Sequence, residues 1–236
     1  MVAGLAFMAT AVSTAFAQAT LVRWSKSRQP HQRAWAIALA QFALAAAMLV
    51  VGSTTGWNRQ VYRVFYLLGA VLNVPWLALG TLYLLAGVTW GRRVERALWP
   101  LTGLAVGVMT AAPMHDEFIS KTHIPNGKEV FGLFPRLLAA IGSSIGALVV
   151  LAGAIYSLVR YLRARTATHA GRLVAANACI ALGTMILGST GAFKGIAGGK
   201  DQAFALGLAV GIAVIYAGFA LATPRRSRRT TLPENV

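Results

Sequence analysis

Apolar residues in this chain do not alternate with polar ones; they come in long runs separated by short, mostly basic connections. Seven runs stand out, at 2–22, 34–54, 61–87, 98–113, 136–159, 173–192 and 203–223. A helix needs about 20 mostly apolar residues to cross the hydrocarbon core, so each run predicts a membrane-spanning helix. The expected fold is all-α: a polytopic membrane helical bundle of seven transmembrane helices.

The runs also repeat. Thr20-Leu-Val-Arg-Trp-Ser-Lys-Ser-Arg28 aligns with Ser157-Leu-Val-Arg-Tyr-Leu-Arg-Ala-Arg165 at an offset of 137. At an offset of 136, Gly52-Ser-Thr-Thr-Gly56 meets Gly188-Ser-Thr-Gly191. At 138, Leu68, Gly69 and Gly80 meet Leu206, Gly207 and Gly218. Three matches in order predict two copies of a three-helix unit, 1–87 and 136–223. Between them lie a linker helix at 88–113 and an external loop at 114–135, and a basic tail follows at 224–236. Because three crossings are odd, the linker helix restores the orientation of the second unit. The result is a 3+1+3 parallel repeat about a pseudo-two-fold axis along the membrane normal. This plan resembles the SWEET sugar transporters, and the resemblance implies a site near the midplane between the units. The Pro-Gln pair of that family is absent. The nearest feature, Asn73-Val-Pro-Trp76, has a repeat partner at 211–214 without proline. No functional residue carries over, and a sugar substrate is not implied.

Composition agrees with the pattern: 57% of the 236 residues are hydrophobic, 12% are charged, and the mean hydropathy is +0.62. The net charge of +16 raises nucleic-acid binding, but its placement excludes that partner. Fifteen of the 22 basic residues fall in 23–33, 92–96, 160–172 and 225–229, the alternate connections of a seven-span chain. Short basic loops stay cytoplasmic, which predicts an external amino terminus and a cytoplasmic carboxyl terminus, with anionic lipid head groups as partners on the cytoplasmic side. Asp116, Glu117, Glu129 and Asp201 fall on the external side; Glu95 and Glu234 fall inside. The expected location is the cell membrane of a bacterium. Ala15-Phe16-Ala17 imitates a signal-peptidase site, but the run lacks a basic start and has a repeat counterpart, so a retained first helix is expected. Cys179 stands alone and forms no intramolecular disulfide.

Candidate chemistry concentrates in the third run. Tyr66, Gly69, Asn73, Trp76, Gly80, Tyr83 and Gly87 recur at steps of three and four, forming one stripe. The stripe faces either a packing seam or a substrate surface built on Tyr66, Asn73 and Trp76. Pro75 is the expected kink or hinge and frees the carbonyl of Val71. Arg63, near the outer end, either snorkels to the head groups or pairs with an anion. Gln41 and Asn177 are further substrate-binding candidates in the second and sixth runs. In the seventh run, Gly207 and Gly211 predict close helix packing, with the facing of the two units as one place for it. The external loop carries His115, Asp116, Glu117, His123 and Glu129 at spacings that match no metal signature, and its apolar members Phe118, Ile119, Ile124, Val130, Phe131 and Phe134 suit a lid.

What the spans lack narrows the function. The last run has no lysine for a retinal Schiff base, and no histidine or carboxylate stands in any run, which argues against bundle haem, zinc or carboxylate-coupled pumping. No catalytic residue, metal or cofactor is expected. Two readings remain. One is a small facilitative carrier or channel for a neutral or anionic small molecule. The other is a non-catalytic accessory or assembly subunit, as a homo-oligomer or within a larger membrane complex.

Overall fold

The computed structural model describes residues 1–119, 123–163, 170–197 and 200–222. Among these the chain is helical and forms no strand; its long helices are α1 (Val2–Ser27), α2 (Pro30–Thr55), α3 (Arg59–Leu85), α4 (Gly87–Ala111), α5 (Leu133–Arg163), α6 (Ala170–Ala197) and α7 (Asp201–Ala222). Six of them, all but α4, contain stretches long and apolar enough to cross a membrane. The architecture is that of a multi-pass helical membrane protein. The fourth expected span coincides only with the second half of α4. The first turns of that helix hold Arg92, Arg93, Glu95 and Arg96, which the hydropathy pattern alone assigns to a connection. The basic run 225–229 and residues 164–169 of the connection before α6 lie outside the described residues.

Local chemistry sets the breaks. Arg28 closes α1 in the left-handed conformation (φ 54°), donating its N–H to the Trp24 carbonyl, and Pro30 starts α2 in the first turn, where a missing N–H costs nothing. The Asn58 side chain caps α3 by accepting from the N–H groups of Gln60 and Val61, both at 3.0 Å. Gly87 at φ 84° turns the chain from α3 into α4 with no intervening loop, a conformation that favours glycine.

Helix neighbours form a closed circuit. α1 packs on α2, α2 on α3, α3 on α5, α5 on α6, α6 on α7, and α7 returns to α1; α4 lies outside, chiefly against α3. Bulky apolar side chains such as Ile141, Ile145 and Leu148 on α5, and Leu182 and Met185 on α6, point outward, as a lipid-facing surface requires.

The seam between α3 and α5 is held by backbone proximity. A Cβ on Gly146 would stand 2.9 Å from the Val74 carbonyl carbon and oxygen, and one on Gly153 would stand 2.5 Å from the Thr81 methyl. Glycines at such crossings let helices approach where no hydrophobic force drives them together. Gly207 and Gly211 do the same, but against Thr190 and Leu187 of the preceding helix α6 and not against α1–α3. The α1–α7 seam is instead aromatic: Phe16 packs on Tyr216 and Phe219 with ring centroids 5.1 and 4.7 Å apart.

The segment between α4 and α5 folds back over one end of the bundle. Its own Ile124, Val130 and Phe131 are buried, while its Phe118, and Phe134 in the first turn of α5, stay exposed. Phe131 stacks on Tyr62 and leans on Tyr66. Met114 and Phe131 pair through their backbones across the segment.

Candidate functional site

The structure sends the members of the expected stripe on α3 to different neighbours. Residues 67–72 form a π-helical segment, in which the Asn73 N–H reaches the Leu68 carbonyl. An i→i+5 segment departs from the uniform α register on which the stripe is counted. Pro75 accounts for the position, because it supplies no N–H to the preceding turn. The carbonyl that receives outside help is that of Ala70, one residue before the expected Val71: the Ser143 hydroxyl of α5 donates to it at 2.5 Å. Gly142 lets α5 come this close; a Cβ there would lie 3.3 Å from the Pro75 ring and 3.5 Å from the Val71 carbonyl.

The stripe members then go to different partners. Tyr66 sits beneath the covering segment against Gly127 and Phe131. Gly69 and Gly80 face α2, where Ala45 and Trp35 fill the space a side chain would take. The Trp35 indole donates to the Leu77 carbonyl at 3.2 Å. Trp76 is 1% exposed and faces α4, donating to the Thr102 hydroxyl at 3.2 Å and packing edge-on to Trp99. Asn73 is buried beside it, at 9% exposure, and its side chain makes no hydrogen bond among the described residues. Tyr66 and Trp76 therefore contact side chains of the covering segment and of α4, and Asn73 is buried on the same helix.

The other candidates separate as well. Arg63 donates through Nη2 to the Ala112 carbonyl at 3.0 Å, fastening the end of α4 to α3, while its buried Nε has no partner. On α2, the Gln41 amide oxygen is buried without a donor. Asn177 belongs to α6, and its side chain lies outside the described ones.

Two polar clusters emerge that no sequence spacing announces. At the α1–α2 turn end, Glu95 of α4 is 12% exposed and accepts from Arg33 of α2 and from the Tyr83 hydroxyl of α3. Gly91, one turn earlier on α4, leaves room for the Tyr83 ring. At the opposite end, Asp201 of α7 accepts from Lys194 of α6 at 2.5 Å and from the Ile124 N–H at 3.0 Å, with His123 Nδ1 at 3.3 Å. This clip ties the covering segment to the α6–α7 hairpin. Asp116 pairs separately with Arg59, and hydrogen bonding to that guanidinium holds its carboxyl below the usual carboxylate range. His115 lies 3.9 Å from Glu117 and edge-on to Phe118, so His115, Asp116 and His123 go to separate partners.

Two surface cavities lie elsewhere, along α5, α6 and the start of α7. One, of about 310 Å³, is lined by Ser189, Thr190, Phe193, Lys194, Lys200, Ala203 and Phe204. A second, of about 410 Å³, follows the groove between α5 and α6. No protein-family model and no curated protein matches this chain, so its chemistry rests on its own residues.

Proposed function

We propose that the chain is a non-catalytic integral membrane subunit that assembles with a partner protein, in a homo-oligomer or a larger membrane complex, with its amino terminus outside and its carboxyl terminus in the cytoplasm. The observation that carries this reading is α4. It lies outside the circuit of six helices, only Gly91, Ala105 and Met109 of its 25 residues are buried, and Trp90, Leu101, Leu104 and Val106 are exposed. A crossing helix this short of apolar length and this poorly covered gains most from a neighbouring protein. The burial of Asn73 and Trp76 fits the same reading, because a docking subunit needs no internal path. The basic connections support the orientation, with α4 as the seventh crossing.

A carrier for a neutral or anionic small molecule is the second reading, and the helix circuit favours it. A half-turn that exchanges α1 with α5, α2 with α6 and α3 with α7 maps every neighbour pair onto another, as a 3+1+3 transporter would have it. The π segment beside Pro75 supplies a place for such a repeat to flex. Substrate contacts would then come from Tyr66, Asn73, Trp76, Arg63, Gln41 and Asn177.

One set of proteins separates the two. In a Cys179→Ser background, single cysteines replace Asn73 and Trp76, and a photo-cross-linking residue replaces Leu104 on α4 or Ile145 on α5. Assembly predicts no maleimide labelling at 73 or 76 from either side of the membrane, and one defined protein adduct from position 104 but not 145. Labelling at 73 or 76 that a solute suppresses, with no adduct at 104, rejects the assembly reading in favour of the carrier.

A further inference from the structure

We propose that the outer face of α6 holds an anionic glycerophospholipid, its phosphate at Lys194 and Lys200 and one acyl chain in the groove between α5 and α6, in the leaflet beneath the covering segment. This site is independent of either functional reading above.

The two surface cavities share a wall residue: Ser189 lines both the one that includes Lys194 and Lys200 and the one that includes Ala147, Leu148, Leu151 and Met185, and apolar surface predominates in each. Along the helix axis, Lys194 stands five residues beyond Ser189, about 7 Å nearer the end of the bundle. Thr184 stands about 7 Å on the other side, and on α5 the groove runs from Ser144 to Leu151, about 10 Å of helix. Cations therefore sit where a phosphate lies in the head-group layer, and the apolar trough continues into the hydrocarbon depth from the same point. Ser189 stands at the junction, where the glycerol esters of such a lipid offer acceptors.

Charge selects the head group. Lys194 is 15% exposed and shares its charge with Asp201, which does not line the cavity. Lys200 is exposed and enters no ion pair among the described residues. Two lysines against one carboxylate leave a local charge of +1, with His123 directed to Asp201 from the covering segment. The slot is lined chiefly by apolar side chains, among them Leu148 at 65% exposure and Met185 at 55%, a surface that suits an acyl chain. A free anion would leave that slot unused.

The test uses the full-length protein, delipidated in neutral detergent and titrated with dioleoyl phosphatidylglycerol under native mass spectrometry, with dioleoyl phosphatidylcholine and inorganic phosphate as comparison probes. Phosphatidylglycerol adducts should persist to higher collision energy than phosphatidylcholine adducts, and phosphate should give none. Lys200→Gln should weaken phosphatidylglycerol retention about fivefold, the ~1 kcal/mol that one lysine contributes toward an anionic lipid surface, and leave phosphatidylcholine unchanged. Leu148→Trp, which fills the trough from an exposed position, should weaken both lipids. Unchanged melting temperatures show that the variants are folded. Equal retention of the two lipids by the unsubstituted protein overturns the proposal. So does phosphatidylglycerol retention that survives both substitutions, or phosphate binding that Lys200→Gln abolishes while lipid retention stays intact.

Discussion

Gly146→Ala tests whether backbone contact between α3 and α5 holds the two halves of the bundle together. The new Cβ would meet the Val74 carbonyl carbon, its oxygen and Cγ1, each at 2.9 Å. Carbon atoms pack best at about 3.5–4.0 Å, so the crossing must open by roughly 0.6–1 Å. Two of the three groups met belong to the backbone and cannot rotate away. Overpacking of this kind costs about 1–3 kcal/mol. The opening also stretches the Ser143–Ala70 hydrogen bond from 2.5 Å, and an interhelical bond in a membrane protein contributes about 0.6–1.7 kcal/mol. The expected loss is about 2–4 kcal/mol in reversible unfolding by dodecyl sulfate. Ser143→Ala alone should cost about 1 kcal/mol, and the double variant should lose less than the sum, because the first change already breaks the bond that the second removes. Gly103→Ala and Gly107→Ala on α4 are the controls: neither new Cβ meets anything within 4 Å, and alanine raises helix propensity there. If Gly146→Ala is as stable as these controls, the close crossing of α3 and α5 does not hold the halves together.

Three other outcomes follow from the polar contacts. Glu95→Gln should destabilise the protein by about 1–3 kcal/mol, reduced toward the lower value because Arg33 is 43% exposed and regains water; an additive Glu95→Gln/Tyr83→Phe pair in the same unfolding assay would show that the cluster is not coupled. Asp201→Asn keeps an acceptor for the Ile124 N–H but removes the partner charge of Lys194, and should raise hydrogen exchange in 123–131 while leaving α1 and α2 unchanged. For Asp116 the folded carboxyl is held below its ordinary 3.8, so the pairing with Arg59 contributes above that value and is lost as pH falls through the depressed one. Arg59→Gln should return the Asp116 titration, followed by carboxyl carbon resonance, upward toward 3.8; an unmoved titration would remove Arg59 as the cause.

What could be read directly from the sequence was whatever depends on one segment at a time. Six spans follow from length and hydropathy, since a helix in lipid satisfies its backbone alone. The fourth apolar run, 98–113, begins well after its helix for a physical reason: Arg92, Arg93, Glu95 and Arg96 interrupt an apolar run, yet they do not interrupt a helix, whose residues have good propensity. Hydropathy reports depth and not where a helix begins. The stripe on α3 was legible only in part. Counting by threes and fours assumes one uniform helix and names no neighbour, whereas residues 67–72 are π-helical and the stripe members meet α2, α4 and the covering segment. Proline announced a disturbance, but the choice between a kink and a π register depended on Ser143, 73 residues away, being able to reach the Ala70 carbonyl.

Contacts between segments were the illegible part, and their positions explain why the fold uses them sparingly. Charged clusters lie at the two ends: Arg33, Glu95 and Tyr83 join α2, α3 and α4 at one, while Asp201, Lys194 and Ile124 join α6, α7 and the covering segment at the other. At mid-depth the described residues join the helices by glycine crossings and by uncharged hydrogen bonds, from Ser143 to Ala70, from Trp35 to Leu77 and from Trp76 to Thr102. A charge in the apolar middle pays desolvation that a partner only partly returns, whereas near the head groups water and lipid supply the rest. The same carboxylate that fixes a hairpin at the rim would be a liability ten residues deeper. Segments can therefore be placed in the bilayer from their own composition, but which segments meet is decided at the ends, by single residues far apart in the chain, and that is where substitutions should separate assembly from folding.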